Sequence, residues 1–211
     1  MIQLSRLYAI VDAAFFATTG ELVAFARELA AGGCTLLQYR NKKASPRMML
    51  EQARELRKQL GARVKLIMND RVDLCLAAGF GGVHLGQEDL SPESVRNILT
   101  RASSPEGPDL WLGVSTHNPE QIEEADRSSA DYLAIGPVFP TSSKEKPNPV
   151  VGLEEVRRAR TLTRKPLVAI GGITRANAAS VIEAGADSVA VISDLLTAPR
   201  KSAEEFFRIL R

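Results

Sequence analysis

Short apolar runs rich in β-branched residues recur along the chain, at 7–11 (LYAIV), 35–39 (TLLQY), 65–68 (KLIM), 82–85 (GVHL), 111–114 (WLGV), 132–135 (YLAI), 167–170 (LVAI) and 188–192 (SVAVI). They are apolar almost throughout instead of alternating, the pattern of parallel strands covered on both faces. Between them, apolar positions recur with helical spacing over 21–33, 46–60, 119–129, 153–162 and 175–185. Ser45-Pro46, Ser91-Pro92 and Asn118-Pro119 each supply an N-cap followed by proline at the first helical position. Gly32, Gly79 and Gly185 stand where helices should stop. Strand and helix thus alternate eight times, which predicts a single α/β domain over residues 1–211, a compact (β/α)8 TIM barrel. An open doubly wound sheet is the rival, but GFGG at 79–82 precedes a strand where a dinucleotide fingerprint must follow one.

Composition changes this picture only in what it excludes. Lys and Arg number 27 against 25 Asp and Glu, so a net charge of +2 gives no reason to expect a nucleic-acid partner, and any anion site must be local. Cys34 and Cys75 show neither CxxC nor metal spacing and read as buried free thiols of a reducing cytosol. No apolar run approaches the roughly 20 residues that span a membrane. The first run is broken by Asp12 and lacks a basic leader, so a soluble, cytoplasmic chain without a membrane partner is expected. Oligomeric state stays open, a homo-oligomer included.

In such a barrel the site lies at the C-terminal ends of the strands, so polar residues there are the candidates. They are Asp12; Gln38, Arg40 and Lys42; Asn69 and Asp70; Gln87, Glu88 and Asp89; Ser115, Thr116 and His117; the loop 135–149; Gly171-Gly172; and Ser193-Asp194. Many such residues only cap the next helix. Asp70 reads equally as a cap or a ligand, and Thr174 reads as a cap. Asp89 is spare, because Ser91 caps the helix that follows, and Ser115 is spare because Asn118 does the same. Neighbouring parallel strands lie about 5 Å apart, so Asp70 and Asp89 would share one hard cation. Two carboxylates suit Mg2+, which fills its shell with water and substrate phosphate. His84 and His117 are the only histidines and form no zinc set. Arg40 and Lys42, two residues apart, would point the same way on an extended chain, towards a phosphorylated ligand. Gly171-Gly172 opens a loop where barrels bind phosphate on backbone N–H groups.

QYRNK (38–42), ND (69–70), GVHLGQED (82–89), GVSTH (113–117), GPVFPTSSK (136–144), AIGGI (169–173) and VIS (191–193) together resemble the thiamine-phosphate synthase family over nearly the whole chain. The resemblance implies a Mg2+-dependent transferase that joins a pyrimidine diphosphate to a thiazole phosphate and releases pyrophosphate. It implies that Gln38, Tyr39, Arg40, Asn41, Lys42, Asn69, Ser115 and Lys144 hold the pyrimidine diphosphate. Arg40, Lys42, Ser115 and Lys144 would be the catalytic set, and Asp70 and Asp89 the metal ligands. Thr141, Ser142, Ser143, Gly172, Ile192 and Ser193 would hold the thiazole phosphate. Asn41 stands where the family has glutamate, and Ser143 where it has threonine. A thiazole tautomerase of the same fold would use His117 as its base, and a non-catalytic sensor of thiamine precursors would keep the pocket. Asp89 and the complete 136–144 motif favour coupling, since neither rival needs a clamp for a diphosphate leaving group.

Overall fold

The computed structural model describes residues 2–102, 110–141 and 148–211. Among them, β1 (Leu7–Asp12), β2 (Leu36–Arg40), β3 (Lys65–Asn69), β4 (Gly82–Leu85), β5 (Trp111–Thr116), β6 (Tyr132–Ile135), β7 (Leu167–Ile170) and β8 (Ser188–Val191) close in chain order into a parallel barrel. The helices that return the chain are α1 (Thr19–Ala31), α2 (Pro46–Leu60), α3 (Val72–Ala78), α4 (Pro92–Ala102), α5 (Pro119–Arg127), α6 (Gly152–Leu162), α7 (Ala178–Glu183) and α8 (Pro199–Ile209). The expected caps form: Ser45 Oγ accepts from Met48 N, Ser91 Oγ from Ser94 N and Asn118 Oδ1 from Gln121 N. Each such cap contributes on the order of 1 kcal/mol.

Burial sorts the strand residues into two shells by the period-2 rule. Leu37, Tyr39, Leu66, Met68, Val83, Leu133 and Val189 point outwards and pack against the helices. Tyr8, Ile10, Leu36, Ile67, Tyr132, Ala134, Val168 and Ala190 fill the barrel's interior. Small residues at inward positions leave room towards the C-terminal mouth. Gly113 is the sharpest case, because a Cβ there would lie 2.1 Å from Tyr132 Cζ and 2.5 Å from His84 Nδ1.

The opposite end is built for stability. Asp131, before β6, accepts Leu112 N at 2.7 Å and pairs with Arg96 at 2.6 Å. Asp187, before β8, repeats the device with Leu167 N and Arg160, both at 2.8 Å. Backbone N–H groups near the strand starts that would be left unpaired are thereby satisfied.

Candidate active site

A cavity opens at the C-terminal ends of the strands, with Ile10, Ala134, Val168 and Ala190 as apolar wall and Gln38, Arg40, Asn69, His84, Ser115 and His117 as polar lining. Thr141, Gly172, Ile192 and Ser193 line it from the side of β6, β7 and β8. Ser142, Ser143 and Lys144 lie outside the described residues. Tyr39 and Asn41 are turned elsewhere. Tyr39 is buried on the outer face, where its hydroxyl donates to Gln52 Oε1 of α2 at 2.5 Å. Asn41 bonds the same Gln52 Oε1 at 3.0 Å and caps its own turn through Lys43 N and Ala44 N. Tyr39 follows the strand's alternation, facing out between the inward Gln38 and Arg40, while Asn41 lies past the end of β2 in the turn that it caps.

Arg40 and Lys42 do not point the same way, because the chain bends after Arg40. Arg40 leans towards β1 and pairs with the buried Asp12, whose other oxygen accepts Ala14 N at 3.0 Å. Lys42 leans towards β3 and pairs with Asp70. Asp70 caps no helix: α3 starts from Arg71 with no side-chain cap bond, and Asp70 holds a left-handed φ of 61°. A non-glycine residue in that region is strained by roughly 1 kcal/mol or more, which fits a position kept for its carboxylate.

Asp89 is not wholly spare. Its Oδ2 accepts Gly86 N at 2.7 Å and closes the turn after β4. Although the side chain reaches solvent, the mouth partly desolvates it, and this raises its pKa; the Asp70 carboxylate beside it raises it further, against the Gly86 bond. Two carboxylates are thus held together, with the Lys42 ammonium paired to Asp70. No third Asp, Glu, His or Cys joins them among the described residues. That donor set suits a hard cation that takes the rest of its shell from water and phosphate oxygens.

On the far side of the ring, Gly171 and Gly172 hold φ of 100° and 64°. A Cβ on Gly172 would lie 2.5 Å from Pro140 O, so the loop after β7 is pressed against the loop after β6. The latter extends the sheet through Val138 N to Ile170 O at 2.9 Å and Phe139 N to Gly171 O at 3.0 Å. Arg175 ties the loop to the end of β8, its N and Nε donating to Asp194 Oδ2 at 2.9 and 3.0 Å and its Nη1 pairing with Glu205 of α8. Thr174 makes no side-chain cap; instead Asn177 Oδ1 folds back to accept Thr174 N at 2.8 Å. His117 Nδ1 lies 2.5 Å from Gly136 O and donates to it, which fixes the ring at the cavity wall.

Tyr8, Tyr132 and His84, which the sequence reading did not place in the site, join Gln38 and Ser115 in the floor. Gln38, Tyr8, Tyr132, His84 and Ser115 form one hydrogen-bonded chain across the barrel. A polar aromatic at an inward strand position was the available signal, hidden because LYAIV and YLAI read as plain apolar runs.

An apolar-walled cavity with polar lining at the C-terminal mouth of a closed parallel barrel is where enzymes of the (β/α)8 class carry their active sites. Residues 7–195 match the family described as thiamine monophosphate synthase. A thiamine-phosphate synthase of Koribacter versatilis is 58% identical over 99% of this chain and 97% of its own. Another, of Caldicellulosiruptor saccharolyticus, is 42% identical over 92% of this chain and 86% of its own. The solved thiamine phosphate pyrophosphorylase of Pyrococcus furiosus superposes with a TM-score of 0.83 at 34% identity, covering 97% of this chain and 95% of that one. The chain belongs to the thiamine-phosphate synthase family, transferases of thiamine biosynthesis.

Proposed function

We propose that this cavity couples an aminopyrimidine carrying a diphosphooxymethyl group to a thiazole phosphate, giving thiamine phosphate and pyrophosphate. The observation that carries the reading is one cavity with anion-directed groups at opposite sides. Arg40 lines it at the end of β2, and Gly171, Gly172 and Ser193 line it across the ring at β7 and β8, while Lys42 and the Asp70–Asp89 pair stand outside the lining, after β2, β3 and β4. One phosphorylated substrate at each end brings their reacting atoms together between them, which is the largest service an enzyme gives a two-substrate reaction.

Asp70 and Asp89 would hold Mg2+, which when bound supplies positive charge to the diphosphate oxygens. Arg40 and Lys42 add charge at the same end, and Lys144, assigned through the family resemblance, adds a third cation. The methylene C–O bond breaks with its electron pair leaving on pyrophosphate, and the amino-substituted ring delocalises the positive charge left behind. The thiazole nitrogen lone pair then forms the new C–N bond, so no protein nucleophile and no net proton transfer is needed. The apolar wall of Ile10, Ala134 and Val168 keeps water from the cation.

The test is to supply both substrates with and without Mg2+ and to measure thiamine phosphate and pyrophosphate. Asp89→Ala is expected to lower pyrophosphate release by about 100-fold or more while the fold is retained. Coupling at the wild-type rate in that variant overturns the metal assignment, and formation of only a rearranged thiazole overturns the coupling.

A further inference from the structure

The five-residue chain under the cavity runs in one direction once the orientation of the Gln38 amide is set. Gln38 Nε2 carries only donors, so Tyr8 Oη, 2.9 Å away, accepts from it. The single phenolic proton of Tyr8 then goes to Tyr132 Oη at 3.0 Å, and that of Tyr132 to His84 Nδ1 at 3.1 Å. His84 is therefore protonated on Nε2, which donates to Ser115 Oγ at 2.9 Å. The proton left over is that of Ser115, at the cavity wall. At the other end, Gln38 Oε1 has no partner among the described residues, and Gln38 also lines the cavity. Turning the Gln38 amide by 180° reverses every link: Tyr8 would donate to Oε1, and Ser115 would have to donate back to His84.

The two ends of the site are thus one two-state element, with a donor at Ser115 and an acceptor at Gln38 in one state and the opposite pair in the other. We propose that Tyr8, Tyr132 and His84 are positioning residues that couple the Ser115 hydroxyl to the Gln38 amide, so that an anion bound at Ser115 sets Gln38 to accept a hydrogen bond from the substrate ring. The inference rests on the coupling reading above and adds how the site selects an amino-substituted pyrimidine over its oxo analogue: an N–H on the ring meets Oε1, whereas a ring carbonyl meets the same oxygen with no proton between them. The relay needs Gly113, since any Cβ there would lie 2.4 Å from Tyr132 Oη and 2.5 Å from His84 Nδ1. It is also sealed: Tyr8 and Tyr132 are fully buried, so water does not supply the missing proton directions.

Calorimetric binding of the aminopyrimidine diphosphate and its 4-oxo analogue to the full chain tests this without depending on turnover. The wild type is expected to prefer the amino compound by about 100-fold, the upper range of what one buried polar group left unsatisfied costs. Tyr132→Phe, which keeps the ring and cuts both bonds, is expected to lower that preference about tenfold. Tyr8→Phe, which frees Gln38 but leaves His84 bonded to Ser115, is expected to lose the preference equally and keep its affinity for inorganic pyrophosphate. A preference unchanged in both variants, or both compounds weakened by one common factor, overturns the relay; so does a wild type that does not discriminate. A wild type that discriminates yet makes no thiamine phosphate overturns the coupling reading and leaves the relay standing.

Discussion

At Asp89, one carboxylate oxygen closes a turn on Gly86 N while the group sits beside Asp70, so a folding duty and the proposed metal-binding duty share one side chain. The two duties separate chemically. An asparagine keeps an acceptor for Gly86 N but removes the charge that Asp70 opposes. Asp89→Asn is therefore expected to raise the melting temperature by about 1–3 °C in the absence of divalent cations, the shift of a modest surface gain in a chain of this size. Added Mg2+ should raise the wild-type melting temperature and leave the variant's unchanged, because only a ligand bound to the native state stabilises it. A lower melting temperature for the metal-free variant would mean that the charge itself serves the fold. The same reasoning explains the strained Asp70: a carboxylate kept at φ 61° and bonded to Lys42 is hard to account for by local stability alone.

Among the elements, the loop after β7 has the least freedom. Gly172 holds φ 64°, and its missing Cβ leaves the space occupied by Pro140 O and by Phe139 Cβ, 2.5 and 2.8 Å from where it would be. Gly172→Ala is expected to cost about 1–3 kcal/mol of stability, read as a fall in melting temperature. In kinetics it should raise KM for the thiazole phosphate several-fold more than KM for the pyrimidine diphosphate. Equal changes in both would remove this loop from the thiazole phosphate end. The elements also mark what the chain made legible. GVHL, YLAI and LVAI match β4, β6 and β7 residue for residue, because glycine, proline or aspartate bounds each apolar run. The helix read over 175–185 is only Ala178–Glu183, since Arg175 is drawn to Asp194 and Asn177 to Gly172 O, tethers between loops that no periodicity reveals. The α8 segment, with Ala203 and Phe206 buried on one face, carried a helical pattern that the reading of the strands passed over. Candidate site residues stood out where the residue type was unusual for its place, as with Asp70 and Arg40. The family motif is contiguous, whereas a strand delivers only every second residue to the cavity, so Tyr39 faces the helices instead.

On the scale of the whole molecule, the burial that makes the barrel also makes it sensitive to alkali. Burial pushes the Cys34 and Cys75 thiols up to about 12, and the Tyr39 phenol likewise to about 12; Tyr8 and Tyr132 are raised by the same cause. Both cysteines are free and packed in the shell between strands and helices. Above pH of about 9 an unfolded chain releases thiol protons that the folded chain still holds, so the unfolded state binds fewer protons and stability falls as pH rises. The loss begins near the unfolded thiol value and continues to about 12, with each cysteine contributing a slope of roughly 1.4 kcal/mol per pH unit while it titrates only in the unfolded chain. Urea unfolding is therefore expected to give a stability that is nearly flat between pH 7 and 8 and falls steeply from about 9. Replacing both thiols, in Cys34→Ala with Cys75→Ala, should lower the absolute stability through lost packing yet flatten the slope between about pH 9.5 and 10.5 by roughly 2–3 kcal/mol per pH unit. An unchanged slope would place the alkaline sensitivity in the tyrosines. Since Tyr8 and Tyr132 belong to the polar chain under the cavity, Tyr132→Phe would then flatten it instead, linking the floor of the site to the stability of the barrel.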